Sequence, residues 1–271
     1  MNEIIKNIEK YFSFNIPKDV NIIDTLKHFL EGLNKGKIRA AEKINNKWII
    51  NIWVKKGILL LFRYGKLMEI NNGCFNYFEK DTLGLKQLSL DDEVRIVAGG
   101  TAIRNGSYIS SGVICMPPSY VNIGAYVDAG TMIDSHALVG TCAQIGKNVH
   151  ISAAAQIGGV LEPIGANPVI IENNVMIGGN CGIYEGIIVK QNAILGSGVI
   201  LNSSTKVYDL VNENILNTPL EIPENAVVIQ GARGIDNDFG TKNKLSISTP
   251  LIVKYRDNKT DAKTELENLL R

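Results

Sequence analysis

The sequence predicts a mainly β protein: a parallel β-helix of hexapeptide repeats, preceded by a mostly helical domain and closed by a C-terminal cap. The first observation behind this is a period of six. Aliphatic or small apolar residues occupy Val97, Ile103, Ile109, Cys115, Val121, Val127, Ile133, Val139, Ile145, Ile151 and Ile157. After a break at "EPIGANPV" the series resumes at Ile171, Ile177, Ile183, Val189, Leu195, Leu201 and Val207. The second observation is a usually smaller side chain four residues after each, as at Ala125, Thr131, Ala137 and Ala143. The third is that the chain before residue 90 lacks the period and shows helical spacing. Self-similarity at a fixed period indicates a solenoid, and six-residue repeats specify a parallel β-helix.

Each hexapeptide makes one short flat face and its corner, so three close a triangular coil and every eighteenth residue falls in one column. The aliphatic residue points into the prism and the small one lets the chain turn. Glycine and asparagine in "NIG", "DAG" and "GKN" tolerate the positive φ that corners demand. Six coils at strand spacing give a prism roughly 29 Å long. The general rule for parallel crossovers would make the coil right-handed.

Residues 1–94 are assigned to the N-terminal domain. In "VNIIDTLKHFLEGL" the set Ile22, Ile23, Leu26, Phe29, Leu30 and Leu33 recurs at helical spacing and gives one buried stripe. A shorter helix covers "NEIIKNIEKYF". In "IRAAEKINNKWIINIWVKKGILLLFR", "NNK" offers a turn, Trp48 to Trp53 suits a strand, and the apolar run after it suits either state. His28 falls on the helical stretch as a half-exposed surface residue. The β-helix is assigned to 95–212 and a capping region to 213–271. There "IPENAVVIQG" reads as a last partial turn, "TPLIVKYRD" as a strand and "DAKTELENLL" as a closing helix, covering backbone groups that a solenoid end would leave unpaired.

Composition excludes several classes. The 271 residues are 45% hydrophobic with a net charge of +1, as in an ordinary soluble protein. The basic residues are scattered, which argues against nucleic acid as a partner. No apolar run reaches membrane-spanning length, and "MNEIIKNIEK" lacks the apolar core and cleavage site of a signal peptide, so a cytoplasmic location and no membrane partner are expected. Cys74, Cys115, Cys142 and Cys181 show no metal-ligand or disulfide spacing. They read as small reduced core residues, the last three at positions the repeat places inside. No metal is expected.

Asp134 is the second residue of its hexapeptide and points outward. Column arithmetic puts it with Ala98, Met116 and Ser152, with no basic residue in line. Periodicity alone leaves it as a surface aspartate at a turn or as a carboxylate covered by another chain.

The wording around it narrows the choice. "MPPSYVNIGAYVDAGTMIDSHALVGTCAQIGKNVHIS", "IGGVLEP", "VIIENNVMIGGN" and "STKVYD" resemble the tetrahydrodipicolinate N-succinyltransferase family. So do "AAEKINNKWIINIWVKKGILLLFR", "VRIV" and "LIVKYRDNKTDAKTELENLLR", so the likeness covers almost the whole chain. The resemblance implies a left-handed coil, a homotrimer with active sites between subunits, and no permanently bound cofactor, with succinyl-CoA as cosubstrate. It carries an amino-acid-binding arginine and aspartate onto Arg95 and Asp134. A guanidinium offers a dicarboxylate two parallel donors, and Asp134 would orient the amine and act as general base. Arg95 and Asp134 lie two coils and three residues apart, which predicts that one site draws them from different chains.

The resemblance also places the pantetheine arm of CoA along the prism. Gly196, Ser197, Gly198, Ser203 and Ser204 are the candidate contacts, with Lys206 near the phosphates, although corners call for glycine and serine in any case. Glu162 and Glu185 are candidate secondary carboxylates for substrate. One stretch departs: the family commonly reads "GARSEVVEG" where this chain has "GGNCGIYEG", so Asn180 and Gly182 replace a basic and an acidic residue.

Alternatives stay open. Another hexapeptide acetyltransferase, with a serine or amino-sugar acceptor, would depend on a histidine base. His136 is outward near Asp134, and His150 reads as a corner residue. A γ-class carbonic anhydrase would need three converging histidines, and His28 lies in the helical region. A trimeric β-helix scaffold is the non-catalytic alternative.

Overall fold

A computed structural model describes residues 1–256 except residues 15, 17, 73 and 74. Cys74 and the expected helix over "DAKTELENLL" therefore lie outside the described residues. The chain opens with α1 (Asn2–Ser13) and α2 (Val20–Asn34). Asp19 caps α2 by accepting from the backbone N–H of Ile22 at 2.9 Å. Ile22, Leu26, Phe29 and Leu33 are buried along one stripe, and His28 is exposed.

The ambiguous segment resolves into a hairpin and a helix. Strands β1 (Ala41–Ile44) and β2 (Lys47–Ile50) pair antiparallel about Asn45 and Asn46, both at positive φ. Helix α3 (Ile52–Tyr64) follows and buries Val54, Ile58, Leu60 and Leu61, so the apolar run is helical and strand ends before Trp53. A second hairpin, β3 (Leu67–Asn72) with β4 (Phe75–Lys80), was not anticipated from the pattern.

From Arg95 the chain winds into a three-sided, left-handed parallel β-helix. The second face stacks six strands, Ala102–Ile103 up to Ile200–Leu201, and the third six, Tyr108–Ile109 up to Glu221–Ile222. The first face rises from Arg95–Ile96 through Met132–Ile133 to Ile194–Leu195 and Ala226–Gly234. Above the lowest rung the inward residues are buried and, apart from Cys115, aliphatic, from Val121 and Ile133 through Ile145 to Leu201, whereas Ile96 at the open bottom end is 43% exposed. Corners use the left-handed region as expected, at Gly124 (φ 75°), Gly130 (φ 70°) and Asn148 (φ 54°).

Three details of the repeat are corrected. Ile96, not Val97, pairs with Cys115, so the lowest rung is shifted by one residue and Val97 is not an inward position. Consequently Val97 rather than Ala98 lies below Met116, because the Val97 N–H donates to the Cys115 carbonyl. Cys142 is not inside the prism: it sits on a corner at φ 67° and is buried against the helical region, in the same apolar cluster as Ile58. Cys115 and Cys181 are in the prism core, and burial pushes the thiols of Cys115 and Cys142 up to about 12.

Two excursions leave the prism. Residues 158–168 loop out between the Gln156–Ile157 and Ile170–Ile171 strands, at the corner from the second to the third face. After Val207 the chain makes a short antiparallel pair, Tyr208–Asp209 with Asn214–Ile215, and re-enters through Leu220 and Ile222. The expected boundary at 212 thus falls within an excursion, and the last rung is completed by residues from Leu220 to Val228. Strand Ser246–Tyr255 then returns antiparallel on Ala226–Gly234.

The N-terminal region covers the third face. The Arg39 guanidinium stacks 3.6 Å from the Tyr126 ring centroid, Tyr126 stacks on Tyr108 one rung below, and Arg39 Nε donates to Gln144 at 3.0 Å. The fully buried Lys55 donates from α3 to the Ala166 carbonyl and tethers the first excursion. Glu172 clamps the β1–β2 hairpin, accepting from Lys43 Nζ at 2.7 Å and Trp48 Nε1 at 2.8 Å. Burial pushes the Glu172 carboxyl up, but Lys43, Trp48 and the Gln191 N–H together outweigh it and hold the group below its ordinary range. A depressed carboxylate stabilises the fold above its unfolded value and loses that contribution as pH falls through its folded value. Amide exchange across Ala41–Ile50 is therefore expected to accelerate on acidification, and Glu172→Gln to accelerate it already at neutral pH. Unchanged protection in Glu172→Gln would remove the clamp.

Candidate active site

With the third face covered, the outward side chains of the first and second faces carry the remaining chemistry. Asp134 follows the Met132–Ile133 strand at the corner from the first to the second face, half-buried between Met116 below and Ser152 above. Its Oδ1 accepts from the Ser135 N–H at 2.7 Å, a local turn bond that leaves Oδ2 for a ligand. Continuing upward, the column reads Ser152, Gly178 and Gly196, a strip of small residues.

Arg95 is exposed on the same face, two rungs below Met132 by way of Ile114. Rung spacing puts its backbone about 10 Å from that of Asp134 along the axis. His150 is not a corner residue: it lies in the strand paired with Met132, half-buried on the first face, one rung above the Asp134 level. The column position was readable from the period, but a histidine in a strand carries no corner signal of its own. His136 is exposed at the turn after Asp134, at φ 62°. His28 is exposed on α2, so the three histidines occupy separate elements.

Glu162 and Glu185 are not brought to Asp134 within the chain. Glu162 is exposed in the 158–168 excursion, and Glu185 is exposed at a corner from the second to the third face. Glu185 braces two rungs, its Oε2 accepting from the Ser203 N–H at 2.8 Å, and the Ser203 side chain together with that N–H holds its carboxyl below the ordinary range.

The candidate CoA contacts separate likewise. The N–H of Gly196 donates to Val228 and that of Gly198 to Gly179, so these amides are spent within the prism. Ser197 is exposed beside them, whereas Ser203 and Ser204 lie one corner further on, Ser204 donating to Asn202. Ser204 and Lys206 line a cleft of about 290 Å³ between the top of the second face and the C-terminal hairpin. Arg233, Asn202 and Ile200 complete much of its wall. Arg233 was missed in the sequence because nothing local marks a hairpin residue as facing another strand's turn. Two cations lining one cleft suit an anionic group such as a phosphate.

Family models match two stretches of the chain. Residues 3–64 match the tetrahydrodipicolinate N-succinyltransferase N-terminal model, and residues 168–203 match the hexapeptide repeat of succinyl-transferase. A 2,3,4,5-tetrahydropyridine-2,6-dicarboxylate N-succinyltransferase of Nitrosomonas europaea is 42% identical over 270 residues, covering 98% of this chain and 92% of the relative. The chain belongs to the tetrahydrodipicolinate N-succinyltransferase family. Relatives of the same name from Blochmanniella floridana (43% identical, 100% of this chain and 97% of the relative) and Buchnera aphidicola subsp. Schizaphis graminum (44%, 93% and 91%) agree. As a member of the tetrahydrodipicolinate N-succinyltransferase family, the chain has its N-terminal matched stretch over the third face and its repeat match on the rungs above the 158–168 excursion. Among the described residues no helix is long and apolar enough to cross a membrane.

Proposed function

We propose that the protein transfers the succinyl group of succinyl-CoA to the amine of tetrahydrodipicolinate in its ring-opened, hydrated form, in the succinylase branch of diaminopimelate and lysine biosynthesis. The observation that carries this is Asp134: an outward carboxylate in a family member whose relatives bear that activity in their names, with one oxygen left unused by the fold. The substrate amine attacks the thioester carbonyl carbon, Asp134 takes the proton from the nitrogen, and the tetrahedral intermediate collapses to the amide and the CoA thiolate. Arg95 pairs with a substrate carboxylate. Glu162 and Glu185 serve as outlying carboxylates at the second-to-third corner.

The active unit is a homotrimer in the cytoplasm. Because the N-terminal region occupies the third face, neighbouring prisms meet through the first and second faces. A threefold arrangement sets the first face of one against the second face of the next, so each site draws Asp134 and Arg95 from different chains. CoA phosphates lie against Lys206 and Arg233, with Gly196, Ser197, Gly198, Ser203 and Ser204 along its path.

A thiol-release assay with succinyl-CoA tests this. Release is expected with tetrahydrodipicolinate or 2-aminopimelate and not with serine or glucosamine phosphates. Release with the latter acceptors alone would make the protein a different hexapeptide acyltransferase, and release with none would favour the scaffold.

A further inference from the structure

We infer that Tyr184 is a specificity-determining residue for the acyl-CoA arm, its hydroxyl donating to an amide carbonyl of the bound arm; this rests on the function proposed above. The stretch in which the chain departs from its family has a compensated geometry. Gly182 is an outward position of the second face, and the ring of Tyr184 lies across it. A Cβ on Gly182 would stand 2.6 Å from the Tyr184 ring and 2.8 Å from its hydroxyl oxygen. One on Gly158, in the rung below, would stand 2.7 Å from Cδ1 of the same ring. Two glycines in successive rungs therefore leave the space in which the ring lies, and a Cβ at either would displace it. The hydroxyl-bearing edge of the ring crowds the place where a side chain at 182 would begin.

The hydroxyl is held but not used. Tyr184 is half-buried, and among the described residues its hydroxyl has no hydrogen-bond partner, its backbone alone being paired. A seated phenol with a free donor is preorganised for a ligand, because little rotamer freedom remains to be lost on binding. Its surroundings state which ligand. Directly above Gly182 stands Ile200, 45% exposed, and Ile200 leads into the cleft that holds Lys206 and Arg233. From the cleft downward, the second face presents cations, then the apolar side chain of Ile200, then a lone donor. That order matches a molecule with an anionic head, an aliphatic stretch and an amide. The second face is also one of the two left uncovered by the N-terminal region.

The test separates this claim from the overall reaction by reading CoA binding directly. Isothermal titration with CoA, and separate KM values for succinyl-CoA and the acceptor, are compared in the full-length protein, Tyr184→Phe and Gly182→Ala. Loss of one neutral donor is expected to weaken CoA binding and raise the succinyl-CoA KM about three- to ten-fold in Tyr184→Phe, with acceptor KM and Tm unchanged. Gly182→Ala, which lifts the ring from its seat, is expected to lose at least as much. Unchanged CoA binding in Tyr184→Phe, or a shift confined to the acceptor KM, would overturn the assignment. If the protein released no thiol with any acceptor yet Tyr184→Phe still weakened CoA titration, the proposed reaction would fall and the role of Tyr184 would stand.

Discussion

Asp134→Asn is expected to lower kcat by about two to four orders of magnitude, the usual contribution of a positioned general base. Tm and CoA affinity are expected to stay the same. Asparagine keeps an Oδ1 that can accept from the Ser135 N–H, so the turn survives and only the proton acceptor is lost. Arg95→Ala is expected to act differently, raising the acceptor KM by about ten-fold or more through loss of charge-assisted hydrogen bonds. Steady-state kinetics with each substrate varied in turn would show the split. Near-native turnover in Asp134→Asn together with an unaltered acceptor KM in Arg95→Ala would dismiss this site altogether.

The second large effect concerns stability. Ile145→Ala is expected to destabilise the protein by about 2–5 kcal/mol, because the side chain is fully buried in the prism and the rungs above and below cannot close on the gap. Ile200→Ala, in an outward position of the second face, is expected to change stability by no more than about 0.5 kcal/mol. Ile145 is the inward residue of a middle rung of the third face, and Ile200 the outward residue of the top rung of the second. Urea titration of both variants checks the contrast, and equal effects would mean that the six-residue register has been assigned to the wrong face.

Much of this follows from the spacing of residues along the chain. A hexapeptide satisfies its own geometry, an aliphatic residue inward and a residue tolerant of positive φ at the corner. The column neighbours Met116 and Ser152 of Asp134 could therefore be read without coordinates. Likeness to a family then added what periodicity lacks: the hand of the coil, the acyl donor and the candidate roles of Arg95 and Asp134. Where local spacing was silent, expectation went astray. Val97 proved out of register because the lowest rung has no rung beneath it to hold the eighteen-residue step. Cys142 proved to be buried by α3 rather than by the prism, since burial on a corner depends on what packs there.

The sequence by itself determined the prism, its inward columns and the outward position of Asp134, because these depend on contacts between residues at a fixed interval. Only the tertiary structure decided which face the N-terminal region covers, that Glu162 and Glu185 lie at a different corner from Asp134, that Arg233 joins Lys206, and that Tyr184 lies over Gly182. Those outcomes come from segments far apart in the chain, or from a ring turning back across a glycine, and no periodic signal records where such segments meet.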